Sequence, residues 1–214
     1  MLCCRPVEPL DFLRTSLPDL FNRGVATLAE RAAAGDARAQ ASVDDIRAAS
    51  GTVHVVLEGE GEIFLTVQDG CMAALDMAPA FPPVRMAFGV PSEAARLALE
   101  ELARSGLLTH EKASVRVARS ASARAEKLLA QEKHAFHVVL EDTPDLDDVT
   151  IKVGIGHPSP PDTPGFTAKV KWDDIEATRA GKMTPMQLFM GGKVRLVGDA
   201  SRFMTVLMTM MQGR

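Results

Sequence analysis

The chain is short of most features that would declare its chemistry. Only three of its 214 residues are cysteine: Cys3, Cys4 and Cys71. An odd number at no framework spacing excludes a disulfide scaffold. It points to free thiols in a reducing compartment, so a cytoplasmic location is expected. No apolar run approaches the roughly 18 residues that a membrane-spanning helix needs, and no integral membrane segment is expected. The opening M-L-C-C-R-P has neither a basic region nor an apolar stretch and does not read as a secretory signal. The net charge is only -4 and no long basic stripe appears, which argues against nucleic acid as a partner. One local basic cluster exists, Lys112, Arg116, Arg119, Arg124 and Lys127. It reads as a solvated face, with an anionic partner as the alternative.

Catalytic constellations are missing as well. There is no G-x-S-x-G elbow and no C-x-x-C. The stretch beginning at Gly191, G-G-K-V, lacks the upstream glycine and the Ser/Thr of a phosphate loop. The G-I-G from Gly154 lacks a third glycine, and Pro158 blocks a helix start of the dinucleotide-binding type. No two histidines stand at the i, i+4 spacing of a helical metal site. The acidic loop from Asp142 to Asp148 lacks the alternating ligands and central glycine of a calcium loop. The expectation is a protein that is not an enzyme and carries no cofactor or metal.

What the chain does have is repetition. H-V-V-L-E occurs at 54–58 and again at 137–141, an offset of 83. Around the first copy, turn residues separate strand-like segments at 52–58, 62–68, 71–77 and 84–89, and a helix is expected from 92 to about 104. A strand at 114–118 and a helix at 120–132 follow. The pattern then restarts with strands at 136–141 and 149–155, a proline-rich loop at 156–165 and a strand at 166–172. A short helix at 173–180 comes next, then a helix capped by Thr184 with Pro185 at its first position. A strand at 193–197 and a closing helix at 200–211 end the series. V115-R116-V117 aligns with V194-R195-L196 and A121-S122 with A200-S201, an offset of 79. The order of elements describes two pseudo-repeats of one α+β unit. Residues 1–15 are expected to be loosely ordered, with Ser16 capping a helix over 17–28 and a second helix at 36–49.

The stretch from Trp172 to Asp199 resembles the end of the sterol carrier protein 2 family. Gly181, Lys182, Pro185, Phe189, Gly192, Lys193, Gly198 and Asp199 stand where that family's glycine-lysine-proline pattern wants them. The opening strands from Ser50 to Gly70 resemble the start of the same fold, in a second and more divergent copy. The resemblance implies an α+β fold of mostly antiparallel five-stranded sheets covered by helices. With it come N-terminal helices at 1–35, one unit at 36–132 and a second at 133–214. The second copy is one strand short between Ile155 and Phe166. The resemblance also implies a non-catalytic carrier with a hydrophobic tunnel for a fatty acid, acyl-CoA ester or sterol-like lipid.

The closing helix gives a physical reason to look in the second unit. Ala200, Phe203, Met204, Leu207, Met208 and Met211 follow helical spacing, and Val206 and Met210 widen the stripe. That exceeds the roughly 100° apolar face of a helix wet on its outer side, so it needs cover. Its counterpart in the first unit is small and polar. The candidate ligand wall is therefore Trp172, Ile175, Met183, Met186, Phe189, Met190, Phe203, Val206, Leu207 and Met210. Methionine suits a wall that adapts to several lipids. Met and Phe at this spacing also fill ordinary cores or subunit interfaces. An interaction module whose closing helix docks a partner or a second copy therefore stands as the alternative. His54 and His137 occupy one repeat position, on the strand face opposite Val53, Val55 and Leu57 and opposite Phe136, Val138 and Leu140, and read as structural.

Overall fold

The computed structural model describes residues 8–205 apart from 105, 107, 109 and 132. Its strands are β1 Gly51–Glu58, β2 Gly61–Gln68, β3 Cys71–Leu75 and β4 Val84–Pro91, then β5 His134–Glu141, β6 Val149–Ile155, β7 Phe166–Lys171 and β8 Val194–Gly198. The two H-V-V-L-E stretches lie in β1 and β5, and their neighbours are equivalent. Each pairs antiparallel with the strand that follows it and parallel with a later one: β1 with β2 and β4, β5 with β6 and β7.

The fold is α+β and its strand pairs are mostly antiparallel, but the expectation of separate five-stranded sheets is corrected. All eight strands form one mixed sheet in the order β3-β2-β1-β4-β6-β5-β7-β8. The seam is an antiparallel pair of β4 with β6, with Met86 opposite Ile155 and Phe88 opposite Val153. Each of these strands lacks an outer neighbour within its own half. An unpaired edge leaves a row of peptide groups without partners, and pairing the two edges satisfies both.

One missing neighbour was legible, since no strand forms between β6 and β7. The other was not. Residues 114–118, expected as a strand, lie in the helix Glu111–Ala118. V-R-V alternates like a strand, but Ser114, Val115 and Ala118 are buried at helical spacing. A short run of this kind fits either period, and packing decides between them. This correction also breaks the alignment of V115-R116-V117 with the strand residues V194-R195-L196.

The helices are α1 Pro9–Asp11, α2 Leu17–Ala33, α3 Ala37–Ala48, α4 Ser92–Arg104, α5 Glu111–Ala118 and α6 Ala123–Gln131, with α7 Trp172–Arg179 and α8 Pro185–Met190 in the C-terminal half. A π-helical turn, Phe12–Ser16, joins α1 to α2 without a break. The loose start expected for 1–15 is therefore corrected from Pro9 onward. Ser16 sits inside this helical run and makes no side-chain cap. Leu10, Leu13 and Leu17 pack against Val55, Leu57, Ile63 and Leu65, and that apolar contact offsets the entropy of ordering the segment. Asp36 caps α3 as its position implies, accepting from the N–H groups of Arg38 and Ala39 at 2.9 and 3.1 Å.

Strand alternation gives the sheet one apolar face, carrying Val55, Leu57, Phe88, Phe136, Val153 and Phe166. The helices cover it. A second cluster joins Phe21 and Leu28 of α2, Val43 and Ile46 of α3, and Val115 and Ala118 of α5. The α2–α5 contact is close because residue 24 is glycine: a methyl group there would overlap the Ser114 carbonyl and lie 2.9 Å from Cβ of Ala118.

The opposite face carries His54 and His137, and the 156–165 loop lies across it. His54 Nδ1 donates to the Pro158 carbonyl at 2.8 Å, and His137 Nε2 donates to the Pro161 carbonyl at 2.9 Å. His54 also stacks on Phe64 with ring centroids 4.2 Å apart, and its Nε2 meets Glu62 at 2.8 Å. Lys152 bridges Asp162 of the loop at 3.0 Å and Glu58 of β1 at 3.1 Å. Hydrogen bonds to those two carboxylates, Asp162 foremost, raise the lysine pKa. Gly154 leaves the room the loop needs, since a Cβ there would stand 2.9 Å from Cβ of His157.

Candidate functional site

In the C-terminal half the apolar face ends in a run of aromatic rings. Phe136 and Phe166 pair across β5 and β7 and stack at 4.9 Å with planes 5° apart. Phe203 meets Phe166 edge-on at 5.7 Å, and Phe189 of α8 meets Phe203 at 5.2 Å. Edge-to-face and offset pairs at these separations are the favoured arrangements of aromatic quadrupoles. The run connects a strand buried mid-sheet to a helix at the surface. Met86, Phe88, Val138 and Ile151 flank it, so the first half supplies part of this wall through the seam.

Local sequence explains how the helices are placed. Thr184 opens α8 with a capping box: its hydroxyl accepts from the Gln187 N–H at 3.2 Å, and the Gln187 side chain accepts from the Thr184 N–H at 2.8 Å. The closing helix begins at Asp199, whose carboxylate accepts from the Ser201 N–H at 3.0 Å and the Ser201 hydroxyl at 2.5 Å. The Ser201 hydroxyl, then the backbone N–H groups of Arg202 and Ser201, hold the Asp199 pKa below the usual carboxylate value. Lys193, just ahead of β8, pairs with Asp174 of α7. Arg179 of α7 reaches Glu101 of α4 at 3.2 Å, tying the helices of the two halves together.

The candidate residues divide into three groups. Phe189 and Phe203 are brought together in the ring series. Trp172 and Ile175 on α7, and Met183 in the turn that follows, are half-buried beside them in the chain. Met186 and Met190 turn outward, 36% and 75% exposed, and Met204 is 41% exposed on the closing helix. Val206, Leu207 and Met210 lie outside the described residues, and the closing helix is described only from 200 to 205. Phe136 and Phe166 escaped the sequence reading. The signal for them was strand alternation, which places both on the face that the closing helix covers. Among the described residues no group of His, Cys, Asp and Glu stands together as a metal site. No described helix is long and apolar enough to cross a membrane.

These features define an α+β protein with one apolar sheet face under a layer of helices. Residues 107–211, just under half of the chain, match the SCP-2 sterol transfer family. That stretch is sterol-carrier-like, in agreement with the pattern between Trp172 and Asp199. The match begins at 107 and so includes α5 and α6, ahead of the boundary expected at 133. Among solved structures, the sterol carrier protein domain 2 of Helicoverpa armigera is similar at 18% identity and a TM-score of 0.31, over 41% of this chain and 74% of that one. No curated protein matches the chain.

Proposed function

We propose that this protein is a non-catalytic carrier of a hydrophobic ligand, a fatty acid, acyl-CoA ester or sterol-like lipid. The ligand is held in the C-terminal half between the Phe136–Phe166–Phe203–Phe189 series and helices α7 and α8. One observation carries the reading. A ring series continuous with the buried core ends beside Met186, Met190 and Met204, which are large apolar side chains left in solvent. A lipid body laid there covers that surface and gains roughly 25 cal/mol for each Å² removed from water. No charged contact is required, and flexible thioethers adapt to different tails. The match of 107–211 to a sterol transfer family supports the same class of ligand.

The test is titration of the delipidated protein with a fluorescent fatty acid, read by energy transfer from Trp172, the single tryptophan. A saturable component of binding that Phe203→Asp removes in a folded protein is the expected result. The exposure of Met190 also fits a second reading, a dimer or partner interface. Sedimentation separates the two: under the carrier reading the protein is monomeric, and Met190→Glu leaves its mass unchanged.

A further inference from the structure

A second apolar space lies on the helical side, remote in sequence from the ring series. The π-helical turn, α2, the segment around the end of α4 and α5 enclose a recess of about 980 Å³. Phe12, Leu17, Leu20, Leu102, Leu108 and Val117 supply its apolar wall. The volume lies within the roughly 300–1,000 Å³ of small-molecule sites. Its mouth is basic. Arg31, Lys112 and Arg116 border this recess and also an adjoining one of about 360 Å³, which Arg119 completes.

Lys112 and Arg116 stand at i and i+4 on α5 and Arg119 caps its C-terminus at i+7, so like charges are stacked on one side, and the i, i+4 pair costs helix stability unless an anion answers it. The protein supplies little answer. Glu111 pairs with Arg31, and Lys112, Arg116 and Arg119 make no ion pair among the described residues. The concentration of cations is local, since the whole chain carries a net charge of -4. Three members of the basic cluster that reads as a solvated face in the sequence, Lys112, Arg116 and Arg119, therefore line an apolar recess and its neighbour, while Arg124 and Lys127 do not.

We infer that this recess binds a single-chain amphiphile with an anionic head. The tail lies among Phe12, Leu20 and Leu102, and a carboxylate or phosphate is held by Arg31, Lys112, Arg116 and Arg119. Guanidinium groups bind both oxyanions in a forked geometry, and desolvation beside an apolar wall strengthens such pairs. The site is separate from the ring series proposed above and does not depend on it.

The experiment uses the full, delipidated chain and three probes: a fluorescent long-chain fatty acid, its uncharged methyl ester, and the corresponding alkyl phosphate. Lys112→Glu with Arg116→Glu weakens the salt-sensitive component of acid and phosphate binding at least tenfold and leaves the ester within twofold. Raising salt weakens the two anions in the wild type. The milder Lys112→Gln with Arg116→Gln repeats the test if charge reversal perturbs the fold. A photoreactive fatty acid cross-links to residues between 12 and 31 or 102 and 119. Acid binding unchanged by both pairs of substitutions overturns the inference. If it is also lost in Phe203→Asp, with cross-links in the C-terminal half, the ligand sits at the ring series and the carrier reading survives alone. Capture only by anionic vesicles, with none of the soluble probes bound, overturns it in favour of a membrane surface. Binding of none of these ligands overturns both readings.

Discussion

Replacing Gly24 with alanine sets two measurable effects against each other. Alanine is the better helix former, and in the middle of α2 the exchange gains about 1 kcal/mol. Gly24 is buried, however, and its missing side chain is what lets α5 approach. A methyl group there overlaps the Ser114 carbonyl and reaches 2.9 Å from Cβ of Ala118. Real Cβ atoms do not come so close, and a backbone carbonyl cannot swing aside as a side-chain tip can. Overpacking of this kind costs about 1–3 kcal/mol, and the severity of the overlap places it at the upper end. The net expectation is a loss of about 1–2 kcal/mol, which for a domain of this size lowers Tm by roughly 2–8 °C. Thermal unfolding followed by circular dichroism measures it. Ala26→Gly, on the exposed side of α2, isolates the helix-propensity effect with a loss of about 1 kcal/mol. A Tm for Gly24→Ala equal to or above that of the parent would refute the claim that glycine sets the α2–α5 distance.

Two other outcomes follow from the geometry. Thr184→Ala removes the hydroxyl that accepts from the Gln187 N–H, leaves the bond from the residue 184 N–H to the Gln187 side chain, and costs about 1 kcal/mol, read as a lower unfolding midpoint in urea; an unchanged midpoint would show that the hydroxyl does not hold the start of α8. Hydrogen bonds to Asp162 and Glu58 raise the Lys152 pKa above the usual lysine value, so its contribution to stability is complete below that usual value and is lost as pH rises through the raised one. Lys152→Met should therefore flatten the alkaline limb of the stability profile, and a limb identical to the parent's would remove Lys152 as its source.

Much of this fold was legible because its elements carry local signals. Turn residues bounded the strands, and Asp36 and Thr184 marked helix starts. The failures have a common cause. Residues 114–118 alternate like a strand, and 9–16 open on a proline in a segment with no obvious period. Each became helical because of what lies across from it: Gly24 on α2 for the first, Val55 and Ile63 on the sheet for the second. Such partners are distant in sequence and leave no mark on the segment itself. The same holds for the candidate site. Phe189 and Phe203 could be named from their helices. Phe136 and Phe166 needed the register of β5 against β7, and the approach of Arg31 to Lys112 along one recess needed the packing of α2 on α5.

The seam between β4 and β6 bears on how this chain can be divided. A fragment starting near the second H-V-V-L-E would begin with a plausible strand and contain most of the family-like segment. It would also present the outer edge of β6 to solvent, with Ile151, Val153 and Ile155 stripped of Met86 and Phe88. A bare apolar edge recruits another strand, and the nearest supply is a second fragment of the same kind. Such fragments should pair edge to edge or aggregate, while the intact chain, which closes this edge upon itself, does not.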